Sequence, residues 1–160
     1  MKKVLSHYNK GFGLIEIMIS ISIITFTLIG FLSLLNKTIE VSNRALKETQ
    51  AALLLEEGAE AIKIIRATNW GTISGFTNGI DYYPTFAGGT WVMSTTPNTI
   101  DNFFTRKVAF SSVSIDASSN IVSSGGTLDS GTKLATITVS WATPSGSITK
   151  TLQLYVSNIY

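Results

Sequence analysis

Residues 17–35 form a largely apolar run without one charged side chain, and a single carboxylate, Glu16, stands at its head. Nineteen residues at ~1.5 Å each span about 28 Å as a helix, close to the ~30 Å thickness of a bilayer's hydrocarbon core. Such a segment must be covered by lipid or by other helices. In lipid its backbone polar groups can bond only to one another, which makes it a helix despite its many β-branched Ile and Thr residues. The chain's first eleven residues carry Lys2, Lys3 and Lys10 and no apolar region of their own. An ordinary secretion signal has its apolar region before the cut. A cut after Gly11 reverses that order and leaves the apolar segment on the product.

Charge is distributed in a way that removes several function classes. The formal net charge is +2, yet only nine basic residues stand against ten acidic ones once residues 1–11 are set aside. The basic pI therefore belongs to the leader and does not describe a nucleic-acid-binding body. From residue 70 onward the only charges are Asp81, Asp101, Asp116 and Asp129 against Arg106, Lys107, Lys133 and Lys150. No nucleic-acid partner is expected, because such binding needs a basic stripe. The chain has no Cys, which excludes disulfides and thiol chemistry, and its one His, His7, lies in the leader. No metal site, cofactor or catalytic residue is expected, and the chain reads as no enzyme. Three lysines before the apolar run place the N-terminus on the cytoplasmic side and the body outside.

Glu16 needs a physical reason. A carboxylate within a membrane helix costs on the order of 2.5 to 3.5 kcal/mol at the centre and less near an end. Glu16 either sits at headgroup level or neutralises a positive charge inside a helix bundle. Cleavage after Gly11 creates such a charge, the α-amino group of Phe12. The amine of one subunit paired with Glu16 of a neighbour would set the axial register between them, because a buried unpaired charge is strongly disfavoured.

The stretch Lys10-Gly11-Phe12-Gly13-Leu14-Ile15-Glu16, followed by the apolar run, resembles the class III signal of type IV pilins and pseudopilins. The resemblance implies that a prepilin peptidase cuts between Gly11 and Phe12 and that Phe12 is then N-methylated. It implies that Glu16, at the fifth mature position, serves assembly and register. Gly13 departs from the Thr or Ser usual at the second mature position. The family's helix usually carries a Pro in its second half, and none occurs here. Gly30, flanked by Thr25, Thr27 and Ser33, is the expected bend, since Gly costs about 1 kcal/mol relative to Ala in a helix. The alternative is that Gly30 lets helices pack closely.

Helix formers continue past residue 35. Glu40/Arg44 and Arg44/Glu48 have i,i+4 spacing, which supports a helix. Ala51, Leu55, Gly58, Ile62 and Ile65 recur at helical intervals as one apolar stripe, widened by Leu54, Ala61 and Ile64. No Pro interrupts residues 12–66, so one long helix is expected over about residues 14–66, stopping at Asn69-Trp70-Gly71. Glu56, Glu57 and Glu60 read as a solvated face, or else as a contact with a basic residue of another subunit. Gly58 reads as a close approach to a sheet.

Beyond Gly71 the period changes. Residues 73–89 read as a loop, with Gly75, Gly79, Pro84 and Gly88-Gly89 as turn markers. Residues 90–94 read as a short strand. Residues 105–116 alternate through Val108, Phe110, Val113 and Ile115, with a bulge expected at Ser111-Ser112. Residues 118–131 read as a polar turn region. Residues 134–141 and 148–159 read as an antiparallel hairpin about a turn at residues 144–147, one face covering the helix stripe. Trp70, Trp91 and Trp141 are expected in packing roles, and Tyr82-Tyr83 in a packed loop. Asp129 reads as a turn aspartate paired with Lys133. A calcium site is the alternative, but such loops gather several carboxylates.

The expected fold is α+β: a long N-terminal helix packed on a C-terminal antiparallel sheet. Its parts are a leader over 1–11, a membrane or filament-core helix over 12–35, an amphipathic continuation over 36–69 and a β-rich headpiece over 70–160. That order, together with residues 55–63 and 129–160, also resembles minor pilins of the pilus-modification type. The resemblance implies a structural subunit of a type IV pilus or related filament, anchored in the cytoplasmic membrane with its headpiece outside, then polymerised through its helix. The implied partners are further copies, other pilins, prepilin peptidase, the inner-membrane assembly machinery and, before assembly, lipid. The destination is an extracellular pilus or a periplasm-spanning pseudopilus. A second reading makes it a minor pilin or pseudopilin acting in adhesion or secretion. A third, an exported domain on a simple anchor, predicts an intact N-terminus and no polymer.

Overall fold

The computed structural model describes residues 13–158. It contains one long N-terminal helix packed on a six-stranded antiparallel sheet, an α+β arrangement like that of pilins. The helix, α1, runs Leu14–Thr68, and the expected 14–66 falls short by two residues. Asn69 ends it by adopting an extended conformation, φ −162° and ψ 112°. Its side-chain oxygen then accepts from the Gly71 amide at 2.8 Å and caps a second helix, α2, Trp70–Gly75. Asn69-Trp70-Gly71 thus stops one helix and starts another.

The chain divides between Leu46 and Lys47 into two compact units. In the first, every described residue is exposed. The second holds the sheet: β1 Asp81–Ala87, β2 Thr90–Ser94, β3 Phe104–Ile115, β4 Ile121–Val122, β5 Thr127–Thr143 and β6 Gly146–Ser157. Strand order is β2-β1-β3-β5-β6, with the short β4 also on β3.

The core forms as the helical stripe implies. Ala51, Leu55, Gly58, Ile62 and Ile65 are all buried. They meet the inward residues of β3 and β5, among them Val108, Phe110, Ala135, Ile137, Val139 and Trp141. Each fully buried Ile or Phe contributes roughly 1.5–3 kcal/mol of transfer free energy. Phe76, Tyr82 and Phe110 close the α2 end of the core, with ring centroids 4.5 and 4.9 Å from Phe76. Ala61 is buried and Leu54 partly so, but Ile64 points to solvent. Trp141 lies in the core, and Trp70 and Trp91 pack on it half-buried.

Three expectations for the headpiece are corrected. Residues 73–89 are not a loop: they hold the end of α2 and all of β1. Of the turn markers there, Gly88-Gly89 makes the hairpin turn, both at positive φ of 61° and 78°, joining Ala87 to Thr90. Pro84 is instead a buried strand residue. β1 pairs with β3 only through Asp81 and Tyr82, so the pairing ends before Pro84, which has no N–H for a central strand. Tyr82 and Tyr83 are buried as expected, but within β1. Residues 118–131 likewise hold β4 and the start of β5.

The third correction concerns the bulge. Pairing jumps from Ser112↔Lys133 to Val113↔Asp129, so the extra residues, 130–132, belong to β5 and not to Ser111-Ser112. Gly131 sits within them. Its amide donates to Asp129 Oδ1 at 2.8 Å and its carbonyl accepts from the Asn158 amide at 2.8 Å. The closing hairpin forms over a turn at 144–145, with β6 ending at Ser157; Ile159 lies outside the described residues.

Candidate assembly site and headpiece clasp

Gly11 and Phe12 lie outside the described residues. Glu16 lies in the first turn of α1, where its amide donates to the Gly13 carbonyl at 3.0 Å. The next ionisable side chain along the helix is Lys37. Among the described residues no hydrogen bond or ion pair reaches the Glu16 carboxylate. Four hydroxyls of the apolar stretch are satisfied internally. Ser20, Ser22 and Thr25 each donate at 2.8 Å to the carbonyl four residues back, and Thr27 donates to Ile24 and Ile23. Their polarity is thereby hidden from a lipid or helix neighbour. Gly30 lies within α1, and apart from its chain neighbours and the helix's own backbone nothing comes within 4 Å of where its Cβ would stand. The helix is long and apolar enough to cross a membrane. Its exposed apolar side chains, with one carboxylate near the N-terminal end, form a surface that requires cover.

The headpiece contains a second constellation that sequence reasoning missed. Alternation along β3 turns Phe104, Arg106, Val108 and Phe110 toward the helix, so Arg106 takes a core position. It is 3% exposed. Its Nη1 pairs with Glu57 Oε2 at 2.9 Å and donates to the Leu54 carbonyl at 3.3 Å. Nη2 donates to the Pro84 carbonyl at 3.5 Å, and the guanidinium lies 5.3 Å from the centre of the Trp91 ring. One side chain thus ties together α1, β1, β2 and β3. Gly58 makes the approach possible: a Cβ there would stand 2.9 Å from Ile137 Cγ2 and 3.3 Å from Arg106 Cδ. The expected close packing of Gly58 on a sheet is present. The available signal was a basic residue in phase with Phe104, Val108 and Phe110, facing a helix that offers a Glu beside a Gly.

The acidic patch therefore divides. Glu60 pairs with Lys63 at 2.7 Å on an exposed face, while Glu57 serves Arg106 of its own chain. The expected pairing of Asp129 with Lys133 is not made. Hydrogen bonds from the Thr132 side chain and then the Gly131 amide hold the Asp129 carboxyl below its ordinary range. The Lys133 ammonium instead donates to the Phe76 carbonyl and Asn78 Oδ1. The bulge at 130–132 separates the two residues. At the β3–β4 turn, Asp116 accepts from the amides of Ser118 and Asn120, each at 2.8 Å. Those bonds, with Asn120 the larger contributor, hold its carboxyl low as well.

Residues 6–32 match the family model for the prokaryotic N-terminal methylation motif, the class III prepilin signal of type IV pilins and pseudopilins. The match ends well before the headpiece. No curated protein and no solved structure matches the chain. The motif supports a protein of the type IV pilin or pseudopilin type, and with the apolar helix it fits a membrane-anchored one.

Proposed function

We propose that this chain is a structural subunit of a type IV pilus or a related filament. Before assembly its helix crosses the cytoplasmic membrane, with the headpiece outside. Prepilin peptidase cuts between Gly11 and Phe12, and Phe12 is N-methylated. The assembly machinery then transfers the helix from lipid into a filament core made of further copies and other pilins. The observation that carries this reading is the coincidence of the methylation motif over 6–32 with a helix whose described residues to Leu46 are all exposed. Lipid and neighbouring helices are the two covers physics allows for such a surface.

In the assembled core Glu16 pairs with the Phe12 amine of a neighbouring subunit. An unpaired carboxylate there would be costly, so the pair selects one axial stagger over others. Gly30 is the proposed point of bending once the helix is confined in the filament. The headpiece contributes a folded outer domain. The experiment is Glu16→Ala: the variant is cleaved and methylated but enters filaments poorly. Incorporation at the wild-type level would remove the pairing role. The same motif is shared with pseudopilins, and imaging separates the two roles: labelled subunits along the whole filament, or a few copies at its tip or base.

A further inference from the structure

We infer that the β1–β2 hairpin is a separately opening arm and that Arg106 is the latch that holds it to the headpiece. The hydrogen-bonding pattern sets up the two parts. β1 and β2 share five registered pairs, Tyr83↔Ser94 through Ala87↔Thr90. β1 and β3 share two, Asp81↔Ala109 and Tyr82↔Val108. By contrast, β3–β5 and β5–β6 pair along nearly their full lengths. The hairpin is therefore a ribbon attached at its base and without strand pairing to β3 beyond Tyr82.

Side chains hold the rest of it. The Lys107–Asp81 pair at 2.7 Å sits at the base. Asn98 Nδ2 donates to Thr85 Oγ1 at 3.1 Å. Tyr82 and Tyr83 are buried beside the base, and the buried polar contact is Arg106, which reaches the Pro84 carbonyl and the Trp91 ring on the ribbon, and Glu57 and the Leu54 carbonyl on the helix. Toward the tip the ribbon is free. Phe86 is 61% exposed and the Gly88-Gly89 turn is exposed. Arg106 Nε, buried, has no hydrogen-bond partner, so the latch is not fully satisfied when shut.

This combination defines two states. When the arm is shut, Pro84 is buried and Trp91 and Met93 are half-buried against the core. When it opens about its base, those three side chains and the Phe104–Arg106 stretch of β3 become accessible, while β3, β5 and β6 stay paired. Sub-global opening of a weakly paired unit is a general property of folded domains. The guanidinium suits the latch because its planar fork bonds in several directions and stacks on an aromatic ring together, which an ammonium cannot do.

Hydrogen exchange on the full-length chain in detergent micelles tests the arm. Once detached from the core, a two-stranded hairpin is marginally stable and its own ladder breaks readily, so in the wild type β1–β2 amides are expected to exchange through an opening at least 10-fold more frequent than the one exposing β5 amides. In Arg106→Met, and more mildly in Glu57→Gln, ribbon exchange should accelerate by a further 10-fold or more with β5 and β6 unchanged. Arg106→Lys should behave like Arg106→Met. Equal opening of ribbon and β5 in the wild type would refute the arm, and that measurement stands even where a variant fails to fold. Uniform acceleration across β3, β5 and β6 in Glu57→Gln, or an unchanged ribbon in Arg106→Met, would reduce Arg106 to general packing.

Discussion

Arg106 Nη1 stands 2.9 Å from Glu57 Oε2, with the guanidinium almost wholly buried and the carboxylate half-exposed. The asymmetry decides what each deletion costs. Removing Arg106 leaves a carboxylate that water can reach. Removing the charge of Glu57 leaves a guanidinium that water cannot reach. Glu57→Gln should therefore destabilise the headpiece by about 1–3 kcal/mol, toward the lower end because solvent already screens the carboxylate. In the Arg106→Met background the same change should cost less than about 0.5 kcal/mol, since no buried charge remains to be orphaned. Denaturant unfolding of the four full-length proteins of this cycle measures the difference. Equal costs in both backgrounds would show that the pair is not coupled.

Gly58→Ala sets helix propensity against packing. Ala favours a helix by about 1 kcal/mol, but its methyl would stand 2.9 Å from Ile137 Cγ2. Overpacking of this kind costs about 1–3 kcal/mol, so the net effect expected is a loss. Ile137→Val should give no relief, because the γ2 methyl remains, whereas Ile137→Ala removes it. Thermal unfolding of the single and double variants reads this out, and a more stable Gly58→Ala would contradict the close approach.

Asp116 gives the β3–β4 turn a defined pH dependence. Its folded-state pKa is lowered, chiefly by hydrogen bonds from Asn120, from an ordinary value of 3.8. A depressed carboxylate contributes its stabilisation above the unfolded value and loses it as pH falls through the folded one. The turn over 116–120 should thus persist near pH 5 and loosen only below about pH 4. Carboxyl-carbon NMR should place the Asp116 midpoint below that of an unfolded peptide. A midpoint at or above the peptide's would show that the turn does not hold the charged form.

The long helix was legible because its two signals are strong: an uninterrupted run for lipid or a helical core, then a stripe whose five members are all buried. The β5–β6 hairpin was legible because Ala135, Ile137, Val139 and Trp141 alternate with polar residues and one side is buried. β1 was hidden by Pro84, which ordinarily argues against a strand and is tolerated here because pairing to β3 has already ended. The clasp was hidden because Arg106 breaks the apolar pattern at the position where it matters most. Reading Thr105 to Asp116 for its apolar members alone passes over the one inward residue with a charge. The Asp129–Lys133 expectation failed on a bulge of residues 130–132 that spacing does not reveal. Gly11 and Phe12 were read from the motif alone.

Two substitutions separate processing from assembly. Gly11 replaced by a bulky residue should leave the leader attached and the chain in the membrane, with no entry into filaments. Glu16→Ala should be cut normally yet be under-represented in sheared filaments by an order of magnitude or more, because two separated charges replaced by one unpaired amine favour no register. Immunoblots of membrane and filament fractions distinguish the two defects by size and by location. If both variants were cut and assembled alike, the division of roles between Gly11 and Glu16 would be wrong.

The most direct test is intact-mass and N-terminal peptide mass spectrometry of the chain recovered from cells that carry the assembly machinery. The account predicts a mature protein beginning at N-methylated Phe12, with residues 1–11 gone. A chain still beginning at Met1, or cut at a site beyond the apolar run, would contradict it.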